Sequence, residues 1–221
     1  MTIAQRYAEL RAEVPAGVRI VAVTKFQPLP AIEEAIDAGV SEIAENYVQE
    51  AQRKFAASPR LSGVTKHFIG HLQTNKAKTV AAAFDVVQSI DRARAAQALD
   101  QAAAALNKRL PVLLQLNISP SERFGCPPEQ AEALADTVRA LPHLRLDGVM
   151  AIGPLSGDRS EISRAFELAA SVFSRVGGST LSIGMSGDWR EAVAAGSTMI
   201  RVGTTIFGPR PARPASKNAV M

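Results

Sequence analysis

The sequence is poor in cysteine, in aromatic residues and in long apolar runs. Its single cysteine, Cys126, excludes an intrachain disulfide, which fits a reducing compartment. No apolar run approaches the roughly 20 residues that a membrane-spanning helix requires. The first residues are charged and helix-like, without the apolar core of a secretion signal. We therefore expect a cytoplasmic protein that makes no use of a membrane.

The basic charge is concentrated at one end of the chain. The formal net charge is +4, and Arg210, Arg213 and Lys217 supply three of these charges in a tail without acids. The rest of the chain is almost neutral, and aromatic residues make up only 5% of it. Because no basic stripe is interleaved with aromatics, we do not expect a nucleic acid as partner.

Metal-ligating and nucleophilic signatures are also missing. His67 and His71 are four residues apart, but a strand end separates them, so they do not form a pair on one helix face. The sequence contains no second cysteine that could bind a metal together with Cys126, and it contains no G-x-S-x-G motif. We therefore expect neither a metal site nor a serine hydrolase.

What the chain does contain is a regular alternation of strand and helix patterns. Eight apolar runs predict strands: Ile20–Thr24, Val40–Ala44, Lys66–Ile69, Phe84–Gln88, Val112–Asn117, Leu146–Ile152, Thr180–Ile183 and Thr198–Val202. Alanine-rich segments with helical spacing lie between them, and one further helix precedes the first strand. Eight βα units in about 200 residues predict a single (β/α)₈ TIM-type barrel. The alternative, a doubly wound open sheet, needs fewer strands.

No change in composition divides the chain before its tail. We predict one domain over residues 1–208, and a basic, proline-containing, disordered tail over residues 209–221.

Two glycine-rich turns follow the last two predicted strands. One is the turn 184–187, which contains Ser186, and the other contains Gly203 and Thr204. Phosphate sites of such barrels frequently use the loops after strands seven and eight. Taken singly, Ser186 is better explained as a helix N-cap, and Gly203 as a tight turn. Together in these two loops, they favour a phosphate cradle.

A lysine ends the first predicted strand. Because side chains alternate between the two faces of a strand, Lys25 shares a face with Val21 and Val23. In a barrel, this face points inward near the top. Partial desolvation there would suit Schiff-base chemistry, although an ordinary solvated lysine is the alternative. A phosphate cradle that faces a strand-end lysine is what pyridoxal 5′-phosphate (PLP) requires.

Two more polar residues lie at the same end of the predicted barrel. Arg201 shares the inward face with Met199, where it could meet a phosphate, a ring nitrogen or a structural carboxylate. Asn46 follows the second strand and could either cap a helix or contact a ligand.

The sequence resembles one family along residues 18–208. The segments that carry the resemblance are Val21–Lys25, Glu45–Glu50, His67–Lys76, Asn117–Ser119, Leu146–Gly153 and Ser182–Gly208. The family is that of the pyridoxal phosphate homeostasis proteins, which are single-domain relatives of the barrel of alanine racemase. Three places depart from the family pattern, namely Ala44, Lys66 and the stretch 123–125.

The resemblance implies a role for each candidate residue. Lys25 matches the lysine that forms the internal aldimine, and Arg201 matches the arginine that faces the pyridine nitrogen. Asn46 matches an asparagine close to the cofactor. The phosphate-binding positions correspond to Ser186, Gly203 and Thr204.

Three functions are compatible with a lysine-bound PLP or phosphate site in a barrel. The expected one is PLP binding in vitamin B6 homeostasis without strong turnover, with PLP-dependent apoenzymes as partners and a monomeric state. An amino-acid racemase is the alternative, but the racemase's second base is a tyrosine from another domain. A Schiff-base aldolase acting on a phosphorylated sugar is the third hypothesis.

Overall fold

The computed structural model describes residues 1–119, 124–155 and 157–209. Residues 210–221 lie outside these ranges, so the prediction of a disordered tail is untested. Residue 123, the first of the stretch 123–125 that departs from the family pattern, lies outside them as well. Within the described residues, no helix is long and apolar enough to cross a membrane.

Eight parallel strands form a closed barrel in sequence order. They are β1 (Arg19–Val23), β2 (Glu42–Glu45), β3 (Thr65–Phe68), β4 (Val86–Ile90), β5 (Leu110–Leu116), β6 (Leu144–Ala151), β7 (Thr180–Ser182) and β8 (Met199–Val202). The barrel closes where β1 pairs with β8, with Val21 in register with Arg201. The predicted (β/α)₈ barrel is confirmed, and closure excludes the open sheet.

Helices surround the barrel and connect successive strands. They are α1 (Ile3–Glu13), α2 (Leu29–Asp37), α3 (Val48–Ala57), α4 (Ala77–Ala83), α5 (Ala93–Ala104), α6 (Ala131–Arg139), α7 (Arg159–Val176), α8 (Trp189–Ala194) and the short α9 (Thr204–Phe207). The extra helix predicted before the first strand is α1. A capping box between Thr2 and Gln5 begins it, because each side chain accepts a backbone N–H of the other residue.

The apolar core lies mainly between strands and helices. Outward-facing strand residues such as Ile200 and Val202 pack there with the helices. The interior of the barrel holds a smaller apolar group of Val21, Ala44 and Met199. Buried polar side chains, among them His67, Gln88, Ser182 and Arg201, also lie in the interior.

Candidate functional site

A cavity of about 290 Å³ opens at the C-terminal end of the barrel strands. Its walls come from the loops after β1, β2, β3, β6, β7 and β8. The lining residues are Val23, Lys25, Gln27, Asn46, Ile69, Met150, Ile152, Met185, Ser186, Gly187, Arg201, Gly203 and Thr204. All six candidate residues are therefore brought together around one cavity, although they come from four different βα units of the barrel.

Lys25 is half-buried and lies just beyond β1, and its backbone is held on both sides. The Thr24 carbonyl before it accepts a hydrogen bond from Lys54 Nζ at 2.7 Å. The Phe26 N–H after it donates to Glu50 Oε1 at 2.6 Å. Phe26 has a φ of 64°, which is uncommon for a residue other than glycine. The structure thus fixes an unusual turn at Lys25 and directs this residue to the cavity wall.

Asn46 is held in place by a close approach of two backbones. A Cβ atom at Gly70 would lie 2.0 Å from the Asn46 carbonyl oxygen, so only glycine fits there. The Asn46 side-chain Oδ1 is buried and has no hydrogen-bond donor among the described residues. Buried acceptors are normally paired, so this atom is suited to a donor on a ligand.

The two glycine-rich turns are joined through the Ser186 hydroxyl group. Ser186 Oγ accepts hydrogen bonds from the backbone N–H groups of Gly203 at 3.2 Å and Thr205 at 3.3 Å. The explanation of Ser186 as a helix N-cap is wrong, because Asp188 occupies the N-cap position of α8. Ser186 is instead the contact point between the turns, where N–H and O–H donors converge beside the cavity.

Arg201 is 3% exposed and closes the floor of the cavity. Its Nη1 donates to the Ser182 carbonyl at 2.6 Å and to Ser182 Oγ at 2.7 Å, and Nη2 donates to the Ala151 carbonyl at 2.9 Å. Burial lowers the pKa of Arg201 to about 10, while the charge of Asp188 acts in the opposite direction. A guanidinium held by carbonyl groups is a rigid buried cation at the base of the site.

His67 and His71, which are four residues apart in the sequence, lie in separate environments. His67 is fully buried in the barrel, and its Nε2 lies 2.8 Å from Glu42 Oε2. His71 stacks on the Phe124 ring with 3.8 Å between ring centroids. Among the described residues, no group of three or more His, Cys, Asp or Glu side chains is arranged to hold a metal ion.

Known proteins match nearly the whole chain. Residues 1–211 match the family profile described as alanine racemase, N-terminal domain. The pyridoxal phosphate homeostasis protein of Pseudomonas aeruginosa is 39% identical over 224 residues, which cover 95% of this chain and 96% of that protein. The protein of the same name from Escherichia coli K12 is 43% identical over 207 residues, which cover 89% of this chain and 87% of that protein. The chain belongs to the pyridoxal phosphate homeostasis protein family.

A solved structure of a family relative has the same fold. PipY of Synechococcus elongatus PCC7942, with PLP bound, aligns with a TM-score of 0.88 at 36% identity. The alignment covers 94% of this chain and 100% of PipY. The resemblance inferred from the sequence is therefore confirmed at the level of the family and the fold.

Sequence reasoning missed the apolar wall of the site in this member of the pyridoxal phosphate homeostasis protein family. Met150 and Ile152 line the cavity beside Ile69 and Met185. The signal was present for two of them, because Met150 and Ile152 are two residues apart in a predicted strand and therefore share a face. An apolar wall opposite polar turns is the usual composition of a site for a small planar ligand.

Proposed function

We propose that this chain binds PLP in the cavity, with Lys25 as covalent anchor, and acts in vitamin B6 homeostasis. The observation that carries the proposal is the meeting of Lys25, the two turns and Arg201 around one cavity of about 290 Å³. The presence of PLP in the related PipY structure supports it. When bound, the cofactor supplies an aldehyde that reacts with amines and a ring that withdraws electrons.

The donors at the two turns fit the phosphate group. The N–H groups of Gly203 and Thr205 both donate to Ser186 Oγ, so these two donors and the Ser186 hydroxyl lie close together. A phosphate oxygen would take the place of Ser186 Oγ as the acceptor of the N–H groups and would also accept from the Ser186 hydroxyl, and the Thr204 hydroxyl lies on the same wall. Lys25, at the other side of the cavity, would hold the cofactor through a carbon–nitrogen bond to the aldehyde carbon, whose oxygen would leave as water.

We assign Arg201 and Asn46 to contacts with the pyridine ring of the cofactor and its substituents. A cation that faces the pyridine nitrogen keeps this nitrogen unprotonated, which weakens the ring as an electron sink. Asn46 Oδ1, which is buried and finds no donor in the described ranges, would accept a hydrogen bond from a cofactor hydroxyl group. Such a site retains the cofactor well but stabilises carbanions poorly, so we infer that strong catalytic turnover is absent.

The cavity wall also argues against the racemase alternative. A racemase needs a second proton-transfer group on the face of the ring opposite the lysine. In the described part of the chain, no tyrosine, histidine or carboxylate lines the cavity. Tyr7 donates to the Gly39 carbonyl instead, and Tyr47 is 50% exposed beside Phe26. This arrangement supports a binding protein rather than a racemase.

We further propose that the protein is a monomer that passes PLP to dependent apoenzymes. Phe26 and Tyr47 follow the cavity residues Lys25 and Asn46, and their exposed rings lie 5.4 Å apart. An apolar rim next to an open cavity is suited to a transient contact with an acceptor. Sedimentation of the purified protein tests whether it is a monomer. Transfer is tested by reactivating an apoenzyme, which the PLP-loaded protein should do faster than free PLP does.

An absorbance titration tests PLP binding itself. Adding PLP to the apoprotein should produce a visible band with the wild type and with Lys78→Ala, because Lys78 is exposed on α4. Lys25→Ala should not produce this band, since it lacks the anchoring amine. A visible band of wild-type intensity in Lys25→Ala would show that another amine holds the cofactor.

A further inference from the structure

A chain of hydrogen bonds runs through the interior of the barrel, away from the cavity. It begins at Arg201, whose Nη1 lies 2.7 Å from Ser182 Oγ. Ser182 Oγ donates to Gln88 Oε1 at 2.8 Å, and Gln88 Nε2 lies 2.9 Å from His67 Nδ1. The chain ends where His67 Nε2 lies 2.8 Å from Glu42 Oε2. Its three central side chains are fully buried.

The chemistry of the groups gives this chain one direction. A guanidinium only donates, so Ser182 Oγ accepts from Arg201 and its own hydrogen goes to Gln88 Oε1. The amide must then present its NH₂ group to His67, and its other contact is Met199 Sδ at 3.2 Å. His67 Nδ1 is therefore the acceptor, and the proton of the neutral imidazole lies on Nε2.

The far end of the chain is anchored by a charged pair. Arg19 donates to both carboxylate oxygens of Glu42, at 2.8 and 2.6 Å. Glu42 therefore accepts from an arginine and from His67 together, which keeps it ionised. A carboxylate end and a guanidinium end polarise the hydrogen bonds between them in the same direction.

This arrangement matters because, in the described part of the chain, no carboxylate hydrogen-bonds directly to the Arg201 guanidinium. Among the described residues, the acceptors of the Arg201 guanidinium are two carbonyl groups and the Ser182 hydroxyl. The hydroxyl is the only one of the three that can rotate, and Gln88 decides which way it points. A Ser182 hydroxyl that turned its hydrogen towards Arg201 would repel the guanidinium.

We propose that Gln88 and His67 are positioning residues for Arg201. They hold the Ser182 oxygen towards the guanidinium and thereby fix the cation that faces the ring of the cofactor. The part of this inference that concerns the ring rests on the proposed function. The orientation of the chain is a property of the apoprotein and can be tested without PLP.

The first test reads the His67 tautomer in the apoprotein by ¹⁵N NMR. The sequence has three histidines, so His71→Gln and His143→Gln variants assign the signals. We expect His67 at neutral pH to be protonated on Nε2 only. In Gln88→Glu, the carboxylate can no longer donate to Nδ1, so His67 should become protonated on both nitrogens. A wild-type His67 that carries its proton on Nδ1, or on both nitrogens, would overturn the proposal whether or not the protein binds PLP.

The second test uses the spectrum of the PLP-loaded protein. Gln88→Met removes the link between Ser182 and His67 but leaves Lys25 and the phosphate turns in place. We expect PLP still to be trapped on Lys25, with a shifted visible maximum and an affinity roughly 2- to 10-fold weaker, the size of one net hydrogen bond.

Gln115→Met is the matched control, because Gln115 is also a buried glutamine of the barrel, and its Nε2 binds the Phe124 carbonyl at 2.8 Å. Its loaded form should keep the wild-type maximum. A purely structural role for Gln88 predicts that the two variants keep the same maximum, and this result would refute the positioning role. A wild type that takes up no PLP would refute the proposed function and, with it, the part of this inference that concerns the ring.

Discussion

Gly184 gives the sharpest test of how the phosphate turn is held. Its φ is 95°, in the left-handed region that side chains rarely adopt. A Cβ atom at this position would lie 2.6 Å from Ala192 Cβ and 3.1 Å from Trp189 Cα. Carbon atoms prefer a separation of about 3.5–4.0 Å, so α8 would have to move away. We predict that Gly184→Ala destabilises the barrel and displaces the turn.

The magnitude follows from two terms. The left-handed backbone costs about 1–2 kcal/mol for a residue with a Cβ atom, and overpacking of a tight contact costs about 1–3 kcal/mol. Together they lower the free energy of unfolding by roughly 2–5 kcal/mol. For a domain of this size, each 1 kcal/mol shifts Tm by about 2–4 °C, so Tm should fall by about 4–20 °C.

Gly187 provides the control in the same turn. A Cβ atom there would meet no atom within 4 Å, and its φ lies outside the left-handed region. Thermal unfolding followed by circular dichroism should therefore show little change for Gly187→Ala. PLP affinity should fall in Gly184→Ala as well, because the Gly184 carbonyl accepts a hydrogen bond from the backbone N–H of Arg201 at 2.9 Å. Equal Tm values for the two variants would refute this account of the turn.

Three further predictions concern binding, acid stability and turnover. The double variant Ser186→Ala/Thr204→Ala should weaken PLP binding by on the order of tenfold or more in a barrel that stays folded, with Tm lowered by only a few °C because the N–H groups of Gly203 and Thr205 lose their acceptor. Unchanged affinity would exclude the two-turn cradle. Burial raises the pKa of Glu42, but hydrogen bonds from His67 and Arg19 outweigh it and lower the pKa from 4.5 to about 2. Ionised Glu42 therefore stabilises the fold fully above pH 4.5, and this stabilisation is lost as the pH falls towards 2. In that window, the free energy of urea unfolding should depend less on pH for Glu42→Gln than for the wild type. Parallel pH profiles of the two proteins would contradict this. Chiral analysis should find no cofactor-dependent conversion of L- to D-alanine, and measurable turnover would revive the racemase hypothesis.

The sequence predicted the barrel and six of the cavity residues because both depend on local pattern. Alternation within β8 was enough to place Arg201 and Met199 inside, and the outward positions of Ile200 and Val202 agree. The closure of the sheet followed from the number of strands. Strand ends then brought Lys25 and the two turns to one end of the barrel.

The polar interior was not predictable, because its partners are distant in the sequence. The second predicted strand ends at Ala44, yet Glu45 belongs to β2 and is fully buried. It is stabilised there by Lys54 at 2.7 Å and by the Thr24 hydroxyl at 2.7 Å. Another example is the hydrogen bond from Ser182 Oγ to Gln88 Oε1, which joins residues 94 positions apart in the sequence. Sequence patterns do not show such pairings.

The most direct test of the central claim is to identify the residue to which PLP is bound. The PLP-loaded protein is reduced with borohydride, digested, and mapped by mass spectrometry. We predict one phosphopyridoxyl group on the peptide that contains Lys25, and none on protein with the Lys25→Ala change. Stoichiometric labelling of another lysine, or of the Lys25→Ala protein, would contradict the assignment of this cavity as the PLP site.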